Sequence, residues 1–135
     1  MAGYSGTPLL KKLGFKEGFR IYVLNPPETY FGSLGKLPLG VQVVESLKTP
    51  LNLVHFFPKN LADYESRLKN LKKALDPEGM IWVSWPKKAS KIETDLSEEG
   101  IRSFGRKNGL VDIKVCAVDE IWSGLKFVIP VKSRQ

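Results

Sequence analysis

The clearest hydrophobic pattern in the chain lies between residues 60 and 75. Apolar side chains recur there at steps of three and four residues, at Leu61, Tyr64, Leu68, Leu71 and Leu75. This spacing places them on one side of an α-helix, and Asn60 supplies an oxygen that can cap the first turn. The pattern therefore predicts an amphipathic helix whose apolar side packs on the rest of the fold.

Short apolar runs that end at proline or turn residues predict buried strands. They lie at residues 20–25 (RIYVLN), 51–57 (LNLVHFF) and 80–85 (MIWVSW), and the second is apolar on both faces. The sequence Asp-Pro-Glu-Gly at 76–79 predicts a turn before the third run. Residues 41–45 (VQVVE) predict either an edge strand or an irregular segment.

Three further helices are predicted from their end signals. Thr7 followed by Pro8 marks a helix start, because a hydroxyl cap and a first-turn proline both suit that position. A short helix is expected within residues 28–35. Ser97, followed by two glutamates, predicts a helix that ends at Asn108.

The last part of the chain changes to a period of two. Apolar and other side chains alternate over residues 112–118 and again over residues 125–131, and the alternation places Cys116 away from the core. Two strands with so short a link pair in antiparallel fashion. The element order predicts one domain over residues 1–135, an α/β, three-layer Rossmann-like sheet, mostly parallel with a C-terminal antiparallel hairpin.

Composition and charge exclude some classes of protein. The 135 residues include one cysteine, which excludes an intramolecular disulfide and a site of several cysteine ligands. No apolar run approaches the length of a membrane span, and the start of the chain lacks the apolar core of a signal peptide, so a cytoplasmic location is expected. The net charge of +7 is spread along the chain, so a dedicated nucleic-acid surface is not expected, and weak nucleic-acid binding is an alternative.

The second half of the chain resembles S-adenosylmethionine-dependent methyltransferases. The resemblance covers residues 51–131 and rests on L-x-x-L-K-K-A-L-D-P-E-G-M-I-W-V-S-W followed by N-G-L-V-D-I-K-V. The first half departs from that family, because Asn25, Pro26 and Pro27 stand where the family carries a glycine-rich turn. Glu45 matches the acidic residue that holds the cofactor ribose there. No cofactor is therefore predicted, with S-adenosylmethionine through Glu45 as the alternative.

The connection between two predicted strands also departs from that family. Only five residues separate the segment at 41–45 from the strand at 51–57. A parallel crossover is expected to need a dozen or more residues. A piece of the fold is therefore expected to be missing or rearranged at this point.

Three segments together resemble a bacterial family of small proteins known only as domain of unknown function number 3052. They are SGTPLLKKLG near the start, IWVSWPKKASKIETDLSEEGIR in the middle and VDIKVCAVDEIWSGLKFV near the end. The resemblance spans nearly the whole chain. It implies a shared architecture and no known activity.

Candidate binding residues follow the predicted strands at their carboxyl ends, where open α/β sheets hold their ligands. The candidates are Lys87, Lys88, Asp119, Glu120, Trp122 and Ser123. Lysines beside an indole suit an anionic small molecule or an acidic protein surface. The alternatives are a solvated loop, a turn-forming aspartate and a tryptophan that covers the end of the hairpin.

The residues indicate no catalytic group. His55 lies within an apolar strand and is interpreted as a buried, hydrogen-bonded core histidine. No catalytic or metal-binding motif matches the chain. The leading hypothesis is a non-enzymatic domain that binds a small ligand or a protein. The alternative is a methyltransferase, or another enzyme with a nucleotide cofactor, that has an atypical binding loop.

Overall fold

A computed structural model describes residues 8–47 and 50–134, which contain a six-stranded sheet with helices on both faces. The strands are β1 Arg20–Leu24, β2 Gln42–Val44, β3 Leu51–Phe56, β4 Leu75–Pro86, β5 Val111–Ala117 and β6 Trp122–Val128. The helices are α1 Leu9–Leu13, α2 Tyr30–Leu34, α3 Leu61–Lys73 and α4 Glu98–Lys107. The sheet order is β2-β1-β3-β4-β6-β5, and β6 runs antiparallel to the other five strands. The predicted fold class is confirmed.

Helix α3 forms as its apolar pattern predicts. Asn60 caps it, because the Asn60 side-chain oxygen accepts a hydrogen bond from the Asp63 amide at 2.8 Å. Tyr64, Leu68 and Leu71 are buried against the sheet. The helix connects β3 to β4, which pair in parallel as the right-handed crossover requires.

Helix α1 begins one residue later than its end signals suggest. Pro8 has extended backbone angles and precedes the first helical residue, so it is not itself the first helical residue. The predicted cap Thr7 lies outside the described residues. Gly14 ends the helix in the left-handed conformation, with φ of 86°.

Residues 41–45, for which an edge strand and an irregular segment were both predicted, contain strand β2. It is the edge strand and pairs in parallel with β1. The rule that a parallel crossover needs a dozen or more residues does not hold here, because β2 has only three residues and the chain has little length to retrace. Val43 and Leu53 both lie level with Ile21, so the six residues 45–50 suffice.

The predicted turn at 76–79 lies inside the limits of strand β4. The pairing with β3 jumps from Leu51–Leu75 to Leu53–Met80, so these four residues form a bulge and not a separate turn. Their turn chemistry is retained, since the Asp76 carboxylate accepts a hydrogen bond from the Glu78 amide at 2.8 Å.

The C-terminal hairpin of β5 and β6 is confirmed, but the predicted faces of β5 are wrong. Val111, Ile113 and Val115 are all exposed, and Cys116 is partly buried in the core. Two features account for the difference. Strand β5 is at the edge of a sheet that is covered on both faces, and a register shift between Asp112 and Lys114 adds a residue that breaks the alternation. Such a bulge cannot be recognised from a pattern with a period of two.

The core has one layer on each face of the sheet. Helices α3 and α4 cover one face, here called the α3/α4 face, with Tyr64, Ile101 and Phe127 buried there. Helices α1 and α2 cover the other, the α1/α2 face, with Leu13, Tyr30 and Trp82 buried there. Within residues 8–47 and 50–134, no helix has the length and apolar character to cross a membrane.

Candidate functional site

The carboxyl ends of β1 and β3 form the natural ligand crevice of this sheet. The connection from β1 runs through α2 on one face, and the connection from β3 runs through α3 on the other. The two connections therefore leave a crevice between these neighbouring strands. In open α/β sheets, ligands bind outside the strand ends at such a point.

The chain's own groups bridge this crevice. The Asn25 side-chain amide donates a hydrogen bond to the Phe57 carbonyl at 2.8 Å, and the Phe57 amide donates to the Leu24 carbonyl at 2.9 Å. Asn25 has a positive φ of 59°, which turns the backbone away at the end of β1. Pro26 and Pro27 follow and lack the N–H donors that a glycine-rich turn presents to a ligand.

A buried polar network lies next to the crevice on the α1/α2 face. The Tyr30 hydroxyl contacts His55 Nδ1 at 2.8 Å, and His55 Nε2 contacts the Ser84 hydroxyl at 2.7 Å. All three side chains are almost fully buried, and the His55 ring stacks on Phe57. The network therefore joins α2, β3 and β4 through side chains.

The groups of this network are uncharged at physiological pH, which suits a structural role. Burial lowers the pKa of His55 to about 3, so its imidazole is neutral at physiological pH. Burial also raises the pKa of the Tyr30 hydroxyl, which keeps that group protonated. The prediction that His55 is a buried, hydrogen-bonded core residue is confirmed. Its partners were not predicted, because they lie 25 and 29 residues away in the sequence.

Glu45 stands at the rim of the same edge. It follows directly after β2, whose last residue Val44 pairs with Tyr22 of β1. Its side chain is exposed. A carboxylate in this position can accept hydrogen bonds from a ligand's hydroxyl groups.

A second concave region, here called the edge groove, lies at the carboxyl end of β4 on the α3/α4 face. It encloses about 1220 Å³. Its lining includes Lys59, Trp85, Lys87, Lys88, Leu96 and Ser123. The Lys87 amide donates to the Ile121 carbonyl at 2.8 Å, which ties the start of this loop to the hairpin.

The charges around the edge groove are mixed. Glu93, Glu98 and Glu99 line it together with the lysines. The amino terminus of α3 already has an anionic partner, because the Asp95 carboxylate accepts a hydrogen bond from the Leu61 amide at 2.8 Å. The groove is therefore not a simple cationic pocket.

The structure brings together part of the predicted site. Lys87, Lys88 and Ser123 line one groove. Trp122 is partly buried on the opposite, α1/α2 face, where its ring meets Phe57 edge-on at 5.3 Å between centroids. The alternation along β6 separates it from Ser123, its neighbour in sequence.

The two predicted carboxylates do not line the groove. The Asp119 carboxylate accepts hydrogen bonds from the Ile121 and Trp122 amides, which is the turn role weighed against a binding role. Glu120 is exposed in the same turn. Lys59 and Trp85, which the sequence also places at the carboxyl ends of their strands, do line the groove.

No protein-family model matches the chain, and no curated protein matches it. The resemblance to domain of unknown function number 3052 therefore stays a prediction.

Solved structures do match. Magnesium protoporphyrin IX methyltransferase from Synechocystis PCC 6803, with bound S-adenosylhomocysteine, has a TM-score of 0.60 and 13% identity, over 90% of this chain and 78% of that one. A SAM-dependent methyltransferase from Aquifex aeolicus has a TM-score of 0.59 and 16% identity, over 90% and 88%. A TehB-like SAM-dependent methyltransferase from Corynebacterium glutamicum ATCC 13032 Kitasato has a TM-score of 0.57 and 12% identity, over 96% and 91%. The chain therefore has the Rossmann-like fold of SAM-dependent methyltransferases.

Proposed function

We propose that this chain is a ligand-binding domain of the methyltransferase fold that holds the adenosine part of a ligand such as S-adenosylmethionine. The observation that carries the proposal is the position of Glu45. It is an exposed carboxylate directly after β2, beside β1, at the carboxyl edge of the sheet. Ribose hydroxyls are suitable donors to such a carboxylate.

The residues fit only one half of S-adenosylmethionine. Glu45 suits the ribose. The turn after β1 does not suit the amino-acid end of S-adenosylmethionine. Pro26 and Pro27 offer no N–H, and the Asn25 side-chain amide already donates a hydrogen bond to the Phe57 carbonyl. We therefore derive no methyl-transfer step, and the proposed domain binds its ligand without catalysis.

Calorimetric titration with S-adenosylmethionine, S-adenosylhomocysteine and adenosine tests the proposal. All three ligands are expected to bind with similar affinity, because the adenosine portion makes the specific contacts. Glu45→Ala is expected to weaken each about 10-fold or more, as the loss of hydrogen bonds to a charged group does. Glu78→Ala is the matched control, since it removes an exposed carboxylate from the bulge in β4.

Binding measurements can overturn this proposal in three ways. One is the absence of binding of all three ligands at millimolar concentration. Another is binding that Glu45→Ala leaves unchanged. Tight binding of S-adenosylmethionine with no binding of adenosine would also contradict it, because the methionine end would then supply the affinity.

A second candidate is an anionic small molecule in the edge groove. The observation that favours it is that Lys87, Lys88 and Ser123 meet there. Inorganic phosphate is the probe, followed by amide NMR shifts. Shifts confined to these residues, and lost in Lys87→Gln/Lys88→Gln, would support this site. Shifts spread over all surface lysines would exclude it.

A further inference from the structure

The outer strands of the sheet carry charged side chains on both faces, and these charges differ in their partners. On the α3/α4 face, Arg67 pairs with Asp63, and Arg102 and Arg106 both pair with Asp112 at 2.8–2.9 Å. On the α1/α2 face, Lys114 of β5 and Lys126 of β6 lie side by side with Lys16 nearby, and Glu17 is next to Lys16 in the sequence. Within the described residues, Lys16, Lys114 and Lys126 have no carboxylate partner.

The register of the sheet places two of these lysines side by side. Lys114 of β5 and Lys126 of β6 are direct cross-strand partners, and Lys126 in turn pairs with Trp82 of β4. The Lys114 ammonium lies 6.0 Å from the centre of the Trp82 ring. Lys114, Lys126 and Trp82 therefore form a row across the sheet on its α1/α2 face. Like charges directly opposite each other destabilise a sheet.

Helix α1 brings further lysines to this row. The Trp82 indole donates a hydrogen bond to the Leu13 carbonyl at 2.8 Å, so the end of α1 lies over the row. Lys16 follows two residues after Gly14, and the Lys12 ammonium donates to the Ala117 carbonyl at 3.0 Å. Burial first, and then the charges of Lys114 and Lys16, lower the pKa of Lys126. The lysines are therefore close enough to repel one another.

We propose that Lys16, Lys114 and Lys126 form a binding surface for the phosphate backbone of single-stranded nucleic acid. Phosphates would offset the repulsion that the register builds into this face. Lys126 is partly buried, whereas Lys16 and Lys114 are exposed. Because Lys126 is partly buried, a flexible single strand can adapt its backbone to reach it more readily than a rigid duplex can. No base is read, so the binding is independent of sequence.

Fluorescence anisotropy with a labelled oligothymidylate, over salt from about 25 to about 200 mM, tests this surface. Three phosphate contacts predict a slope of about −2 in the plot of log affinity against log salt, because each releases roughly 0.7 of a counterion. Lys114→Gln/Lys126→Gln is expected to bring the slope near −0.7 and to weaken low-salt binding roughly 10-fold or more.

The matched control removes the same charge from the other face. Lys69 and Lys73 are exposed on α3, and Lys69→Gln/Lys73→Gln is expected to leave the slope at the wild-type value. Loss of folding does not complicate the test, because removal of opposed like charges is expected to keep or raise the melting temperature.

Three results would overturn the proposal. The first is an equal loss of slope in both double variants, which would show an effect of net charge alone. The second is tighter binding to a duplex of the same length than to the single strand. The third is binding to phosphatidylserine vesicles but not to the oligonucleotide. These three measurements are independent of adenosine binding at Glu45, because Glu45 lies at the end of β2.

Discussion

Acidification should destabilise this protein through its one histidine. His55 is fully buried between the Tyr30 and Ser84 hydroxyls, and burial lowers its pKa to about 3. In the unfolded chain the imidazole regains an ordinary pKa near 6.5. Below about pH 6.5 the unfolded state therefore binds a proton that the folded state does not, so stability falls as pH falls.

The magnitude follows from the two pKa values. Full stability is present above about pH 6.5, and the loss then approaches about 1.4 kcal/mol for each pH unit. It amounts to about 1.4 kcal/mol at about pH 5.5 and about 2.7 kcal/mol at about pH 4.5. These are large fractions of the roughly 5–15 kcal/mol that a domain has in total. The carboxylates of Asp63 and Asp112, whose pKa values the nearby arginines help to lower, act only at lower pH.

Urea denaturation between pH 7.5 and 4.5 measures this loss, with His55→Gln as the variant. Glutamine removes the titrating group and costs about 1–3 kcal/mol at neutral pH through imperfect hydrogen bonds. Its stability should be nearly constant over the window where the wild type declines. An equal decline of the free energy of unfolding with falling pH in the wild type and in His55→Gln would refute the reasoning. So would an NMR titration that places the folded imidazole pKa near 6.5, which is unambiguous because the chain has one histidine.

Two core substitutions test the packing on the α3/α4 face by urea denaturation. Leu68→Ala should lower the free energy of unfolding by about 2–5 kcal/mol, because its side chain is fully buried, whereas exposed Lys69→Ala should change it by less than about 0.5 kcal/mol. Gly105→Ala should cost about 1–3 kcal/mol, since a Cβ there would overlap the Phe127 ring. Gly32→Ala in α2 meets nothing within 4 Å and should be neutral or stabilising.

Elements with a strong local signal could be predicted from the sequence. Helix α3 has a periodic stripe and a cap within its own residues, so its limits were predicted to within two residues. The parallel pairing of β3 and β4 follows from the helix between them, because a right-handed crossover through one helix joins parallel strands. The same holds for the hairpin of β5 and β6, where the link is brief.

Features that depend on register could not be predicted. The extra residue between Asp112 and Lys114 leaves no mark in the pattern, yet it places Asp112 on the same face as Val115, because their partners Phe127 and Leu125 share one core layer. The pairing of Lys114 with Lys126 is likewise invisible in a chain whose lysines are spread evenly. The candidate site shows the same limit. Lys87 and Ser123 meet in the edge groove, but one residue along β6 puts Trp122 on the other face.

The closed crevice and the buried network are two consequences of one change at the end of β1. Asn25 turns the backbone with a positive φ, and its amide satisfies the Phe57 carbonyl. The next turn leads into α2, whose Tyr30 hydroxyl satisfies His55. In a sheet with a glycine-rich turn, a ligand would occupy this position. Here side chains of the protein occupy it, so any ligand of this edge must be held from its rim, where Glu45 lies exposed.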